Sequence, residues 1–240
     1  MPANTLLPAD SPAAGAVATL AHPLPCQPVP DGPDESWLDH LADSLARNGW
    51  ADLDGRRQLG ADLLTALQKE VTVLDQRGAM RRAGIGRGAD HFRDGSVRRD
   101  RIAWLEGKSA PQQALFAFFE MLREGLNRRL FLGLRRFECH YATYQPGGFY
   151  RRHVDSFRGR ASRVVSLVLY LNDDWQAGEG GALRVYHPDD EDKVLASVLP
   201  ETGRMAVFMS EEVPHEVMPA TRTRCSLACW FRQDEVPLPL

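Results

Sequence analysis

Lysine is nearly missing from this 240-residue chain: only Lys69, Lys108 and Lys193 occur, and arginine supplies almost all of the cationic charge. That scarcity is a compositional bias and carries no mechanism of its own. No Lys or Arg precedes Arg47, so the charged start of a secretory leader is lacking. No stretch approaches the roughly 18 continuous apolar residues that would span a bilayer, and no membrane partner is expected. Cysteine is scarce as well. Four thiols, Cys26, Cys139, Cys225 and Cys229, show neither C-x-x-C spacing nor the density of a disulfide scaffold, so reduced thiols and a cytoplasmic location are expected. The formal net charge of −3 gives no electrostatic reason to expect nucleic acid. Internal repeats and βαβ alternation are also absent.

What is present amounts to one globular domain with an extension. Hydrophobic residues make up 43% of the chain and charged residues 25%, ordinary values for a packed core of this size. Residues 1–33 are rich in Pro and Ala without periodicity and are expected to be disordered, leaving 34–240 as the ordered domain. Trp37, Leu38, Leu41 and Leu45 recur at helical spacing behind Ser36 as a cap, and Gly49 with the extended Trp50–Leu53 closes that unit. A second helix is expected over Arg57–Glu70, followed by the apolar run Val71–Leu74. A third, Pro111–Leu132, carries Leu115, Phe116, Phe119, Leu122, Leu126 and Leu130 on one face. From Phe137 the pattern changes to short strands: 137–144, 150–154, 163–171, 182–186, 193–199, 204–209 and 224–232. The expected fold is α+β and mainly β: a double-stranded β-helix, or jelly roll, spanning about 137–232, with the N-terminal helices packed on one sheet.

The chemistry-bearing residues fall in that last third. His153-Val154-Asp155, His215 and Arg224 appear in order among strand-like runs. Two histidines and a carboxylate can hold a ferrous ion on one face and leave the opposite positions open. In an extended strand the side chains of His153 and Asp155, two apart, face one side. An arginine after the second histidine suits a dicarboxylic co-substrate, because its planar fork takes a carboxylate through two hydrogen bonds. The pattern points to an oxygenase. With 7 histidines and 32 acidic residues, roughly one His-x-acid triplet arises by chance. His187-Pro188-Asp189 is such a decoy: Pro188 lacks an N–H for a sheet ladder, and an acidic run follows, so it reads as a solvated loop.

Read together, several motifs resemble the prolyl 4-hydroxylase family of 2-oxoglutarate- and iron(II)-dependent oxygenases. They are Tyr170-Leu171-Asn172 followed by Trp175, Gly180-Gly181-Ala182-Leu183-Arg184, Pro214-His215-Glu216-Val217, and Arg224. The likeness runs from about Gly49 to Trp230 and is greatest to the branch containing the hypoxia-sensing prolyl hydroxylases and their bacterial relatives. It implies Fe(II) held by His153, Asp155 and His215, with 2-oxoglutarate and O2 as co-substrates and ascorbate as accessory reductant. It further implies that Tyr170 joins Arg224 at the distal carboxylate of 2-oxoglutarate and that Tyr144 bonds the carboxylate nearer the iron. The alternation Arg224, Ser226, Ala228, Trp230 makes Trp230 a pocket wall. In the same branch, Arg77–Trp104 corresponds to a finger loop and strand that close over a polypeptide, and Arg98 and Asp100 match a charged pair there.

The implied activity is 4-hydroxylation of a prolyl residue in a protein, with translation elongation factor Tu as a candidate partner. Two other readings stay open. The same iron chemistry could act on a small molecule, or the jelly roll could be a non-catalytic binding module. For Tyr144 and Trp230 the plain alternative is aromatic packing, for Arg224 a surface salt bridge, and for the glycine- and arginine-rich segment a solvated loop.

Overall fold

The computed structural model of the chain describes residues 32–84, 94–156 and 163–233. The Pro/Ala-rich stretch up to residue 31, the Gly84–Gly88 run from residue 85 on, and the C-terminal residues from 234 fall outside the described residues.

Four helices, one of them a single turn, pack on one side of the large sheet. Helix α1, Glu35–Asn48, buries Leu38, Leu41 and Leu45 and ends at Gly49, whose left-handed φ of 76° lets its N–H close on Leu45 O. Its N-cap position is Asp34, so Ser36 lies inside the first turn rather than capping it. The expected helix over 57–70 is two: α2, Arg56–Leu59, and α3, Ala61–Gln76. Gly60 between them adopts φ 77° and ψ 150°, which no helix accommodates. The run Val71–Leu74 continues α3, because Leu63, Leu67 and Val71 fall four residues apart on one buried stripe and helical phase outweighs β-branching. Helix α4, Ala110–Leu130, starts at Ser109, whose side chain accepts from the Gln112 N–H, with Pro111 in its first turn.

Eleven strands are described: β1 Trp50–Asp54, β2 Arg81–Arg82, β3 Asp100–Trp104, β4 Arg136–Tyr144, β5 Tyr150–His153, β6 Arg163–Tyr170, β7 Leu183–His187, β8 Asp190–Val198, β9 Arg204–Met209, β10 His215–Val217 and β11 Arg224–Arg232. They form two antiparallel sheets, ordered β1-β9-β6-β11-β4-β3-β2 and β5-β10-β7-β8. From β4 onward the chain passes back and forth between the sheets, so β4-β11-β6-β9 face β5-β10-β7-β8. That arrangement is the jelly roll.

The large sheet is buried on both sides. Its outer face packs on the helices through Leu41, Leu67, Phe118, Phe119, Leu227 and Phe231. Its inner face and the small sheet enclose a second cluster containing Tyr144, Tyr170, Leu183, Phe208 and Val217. Residues of β6 divide between these clusters, Val165, Leu167 and Leu169 on the helix side and Val168 and Tyr170 on the inner side, which is why apolar side chains occur at both parities there. Phe119 joins helix to sheet, with its ring 5.5 Å from Phe137 and 6.0 Å from Phe231. Phe119→Ala is expected to cost about 3–5 kcal/mol in urea unfolding; an unchanged midpoint would show that the helices do not share a core with the sheet.

Candidate active site

Two edges of the small sheet's register build the centre. Strands β5 and β10 pair so that His153 sits directly opposite His215. Strand β5 ends at His153, so Asp155 projects from the bend that follows rather than from the strand itself. One ligand atom from each of His153, Asp155 and His215 lies within 4.8 Å of the others. The separations are 3.5 Å from His153 Nε2 to Asp155 Oδ1 and 3.9 Å from His215 Nε2 to Asp155 Oδ2.

Both imidazoles are oriented by backbone carbonyls. His153 Nδ1 lies 2.8 Å from Arg151 O, and His215 Nδ1 lies 3.0 Å from Val213 O. A carbonyl only accepts, so each Nδ1 carries the proton and each Nε2 presents a lone pair inward, the arrangement a metal requires. Tyr150 stacks on His153 at 3.6 Å between centroids, and Phe208 packs against His215 at 4.4 Å. Burial, reinforced by the nearby His153, brings the His215 pKa down to about 4, which keeps it in the neutral ligand form.

Asp155 is held on its other oxygen. Trp230 Nε1 donates to Oδ2 at 2.9 Å and Ser166 Oγ donates to the same oxygen at 2.7 Å. Ser210 Oγ stands 2.8 Å from Ser166 Oγ. With the Ser166 proton committed to Asp155, Ser210 supplies the donor of that pair. Burial alone would raise the Asp155 pKa, but the hydrogen bonds donated by Ser166 and Trp230 favour the ionised form and help hold the carboxyl below its usual range. Trp230, read from the sequence as a pocket wall, is therefore also a hydrogen-bond donor to the carboxylate. Ser166 and Ser210 were not singled out in the sequence; hydroxyls inside the otherwise apolar 163–171 and 204–210 runs were the available signal.

Arg224 shares the inward parity of β11 with Trp230, the donor to Asp155. It is 1% exposed, and among the described residues no carboxylate comes within ion-pair distance of it. Its Nε donates to Gly181 O at 2.8 Å and its Nη1 to Ser226 Oγ at 3.2 Å. Gly181 has φ 72°, and a Cβ there would stand 2.8 Å from the Trp175 ring, so glycine is what lets the backbone approach Arg224. The guanidinium is 5.0 Å from the Tyr144 ring and 5.1 Å from the Tyr170 ring. Tyr144 faces Arg224 in register, and Tyr170 faces Ser226. Burial pushes the Tyr170 phenol up to about 12 against the charge of Arg224, so it remains a proton donor at neutral pH. Arg224 Nη2 and the Tyr170 hydroxyl are buried without a hydrogen-bond partner among the described residues. A buried cation and a buried phenol, both unsatisfied in one cavity, fit the distal carboxylate of 2-oxoglutarate. The donor set fits iron in the same way: two neutral imidazoles, one carboxylate and no thiolate.

Arg98 and Asp100 form a two-pronged ion pair at 2.7 and 2.5 Å, with side chains only 13% and 0% exposed. The pair is internal. Arg98 also donates to Gly84 O at 3.2 Å and lies 4.3 Å over Tyr150, the ring that supports His153, while Asp100 pairs with Tyr144 in register. His187 stays apart from the cluster: it ends strand β7, paired with Asp190, rather than lying in the expected loop, and only Pro188 and Asp189 form the turn, with the Asp189 N–H 3.2 Å from its Nδ1.

Residues 139–232 match the 2OG-Fe(II) oxygenase superfamily. A crystal structure of a Pseudomonas putida prolyl-4-hydroxylase is 42% identical, covers 82% of this chain and 99% of its own, and superposes with a TM-score of 0.73. The chain belongs to the prolyl 4-hydroxylase family of 2-oxoglutarate- and iron(II)-dependent oxygenases. A second family structure, a prolyl hydroxylase from Trichoplax adhaerens in complex with a hypoxia inducible factor oxygen degradation domain peptide, is 28% identical over 83% of this chain and 90% of its own, with a TM-score of 0.74. Human Egl nine homolog 1 is 29% identical over 81% of the chain. The chain spans 28% to 58% of the length of the first curated relatives it matches.

His153→Ala, Asp155→Ala and His215→Ala are each expected to abolish tight Fe(II) binding in anaerobic titration, and His187→Ala to leave it intact. Ser166→Ala leaves Asp155 Oδ2 with one donor fewer and should weaken metal affinity about 10- to 100-fold. Normal affinity in Ser166→Ala would show that Asp155 needs no second donor.

Proposed function

We propose that residues 34–240 form the catalytic unit of a protein prolyl 4-hydroxylase. The observation that carries this reading is a three-ligand cluster together with a buried, unsatisfied Arg224–Tyr170 pair. Iron(II), when held there, would supply the oxidising chemistry by which 2-oxoglutarate, dioxygen and a substrate C–H give succinate, carbon dioxide and a C–OH, one oxygen atom going to each organic product.

The chain's own residues do the rest. His153, Asp155 and His215 would take one face of the metal and leave the remaining positions to the co-substrate and dioxygen. Arg224 and Tyr170 would bind the distal carboxylate and Tyr144 the nearer one. Asp155 and a dianionic co-substrate bring one more negative charge than the metal neutralises, and buried Arg224 offsets it. The aromatic walls exclude water from the reacting carbon. The buried pair Arg98 and Asp100 sets the position of Tyr150 and Tyr144 next to where a polypeptide would lie.

The substrate class is supported by family membership and by the peptide held by the Trichoplax relative. Translation elongation factor Tu, the candidate that the family resemblance implies, is the first protein partner to test. Ascorbate is the reductant of choice for assays. A cytoplasmic location is part of this proposal; the thiols Cys139, Cys225 and Cys229 are free, and among the described residues no helix is long and apolar enough to cross a membrane.

Purified protein with Fe(II) and 2-oxoglutarate is expected to form succinate and to add 16 Da to a proline of a cellular protein, detected by mass spectrometry. Arg224→Lys keeps the charge but loses the paired hydrogen bonds and should raise the half-saturating 2-oxoglutarate concentration about 10- to 100-fold. Tyr170→Phe should act in the same direction, less severely. Succinate formation without any modified proline would move the assignment to a small-molecule substrate.

A further inference from the structure

Arginines elsewhere in the described chain are largely neutralised by neighbours: Arg56 with Asp54 at 2.8 Å, Arg129 with Asp39 at 2.7 Å and Arg204 with Asp52 at 2.5 Å are examples. Beside the cavity this pattern stops. Arg81, Arg82, Arg99 and Arg151 are exposed, and among the described residues none has a carboxylate within 4.0 Å.

These four stand on neighbouring elements. Arg81 and Arg82 form β2, the edge of the large sheet, opposite Ile102 and Arg101 of β3. Arg99 and Arg151 flank one ring, with their guanidiniums 4.9 and 5.9 Å from Phe149. The backbone fixes both: Arg99 N–H donates to Phe149 O and Arg151 N–H to Val97 O, each at 2.9 Å. Each also uses its Nε on a carbonyl, Gly95 O at 2.8 Å for Arg99 and Ser96 O at 2.5 Å for Arg151. That leaves the terminal nitrogens of two oriented forks. The nearest acid, Asp94, is occupied by the Ser96 N–H and Oγ at 2.8 and 2.6 Å and senses Arg151 only through space. One residue away from each arginine, Arg98 and Tyr150 stack inward toward His153. The uncompensated charge therefore sits at the rim of the metal cluster, in a chain whose formal net charge is −3.

We infer that this rim is a docking surface for an acidic polypeptide, with Arg99 and Arg151 taking carboxylates that flank the residue presented to the metal; the inference rests on the polypeptide-substrate reading above. Guanidinium forks match carboxylates and are weakly hydrated, so they desolvate into an interface more readily than ammonium groups would. A positive rim on an overall negative molecule also steers acidic partners to the cavity and repels them from the rest of the surface.

The test is fluorescence anisotropy with Fe(II) and 2-oxoglutarate under anaerobic conditions, using three labelled peptides with one central proline and flanks of Asp and Glu, of Ser and Gln, or of Lys. The acidic peptide is expected to bind at least about tenfold more tightly than the neutral one at low salt, with the gap closing as salt rises. Arg99→Glu with Arg151→Glu should erase or invert the preference. Arg99→Gln with Arg151→Gln should reduce it in a protein of unchanged Tm. Arg135→Glu, beyond the far end of β4 and about 30 Å of strand away, should leave it intact. Equal binding of acidic and neutral peptides, or an equal effect of Arg135→Glu, would overturn the proposal. So would stronger competition by a single-stranded oligonucleotide than by the acidic peptide. Admitting oxygen then separates the two readings. Acidic preference without 16 Da on proline keeps the rim and removes prolyl hydroxylation, whereas hydroxylation indifferent to flank charge does the reverse.

Discussion

A carboxylate buried in a protein interior must be hydrogen-bonded or it takes up a proton, and Asp155 is held by the protein itself. An indole N–H and a serine hydroxyl donate to one of its oxygens, a second serine backs the first, and two imidazoles stand beside it as fellow ligands. Much of the architecture follows from bringing those groups together. The small sheet supplies His153 and His215 as register partners, and the large sheet supplies Ser166, Ser210 and Trp230 from β6, the end of β9 and β11. Neither sheet holds the centre alone. A jelly roll, which crosses between sheets at nearly every turn, joins them in one short chain.

The opposite charge is treated in the opposite way. Asp155 is satisfied by the protein, whereas Arg224 is buried and left incomplete, with one guanidinium nitrogen and the neighbouring Tyr170 hydroxyl unpartnered among the described residues. An incomplete buried cation destabilises the empty fold and favours an anionic guest. Stability and binding are thus divided between Asp155 and Arg224.

Much of this was legible in the sequence because its signals are local. The long strands β4, β6, β9 and β11 and the amphipathic stripe of α4 each show within their own segment, and His153, Asp155, His215 and Arg224 stand out by the short motifs around each. What escaped depends on distance or on single torsions. Strand β10 has three residues, too few to reveal a period. The break at Gly60 rests on one φ, ψ pair, and Val71–Leu74 carries strand-like residues on a helical phase. Ser166 and Ser210 are 44 residues apart and meet only because β6 pairs with β9. Arg98 and Asp100 were readable as a charged pair, but their depth was not, since it comes from the packing of Tyr144 and Tyr150 around them.

The alternation along β11 sorts side chains by more than polarity. Arg224, Ser226, Ala228 and Trp230 look into the cavity, while Cys225 and Cys229, with Cys139 opposite the latter, sit on the helix side of the sheet. Sulfur is the element in these strands most easily damaged by activated oxygen. A full layer of backbone separates it from the cavity where oxygen would be activated. Trp230 alone among the cavity-facing residues of this strand is readily oxidised, and it cannot be moved back without releasing Asp155. The strand that shields its thiols therefore leaves a single indole as the place where wear would accumulate.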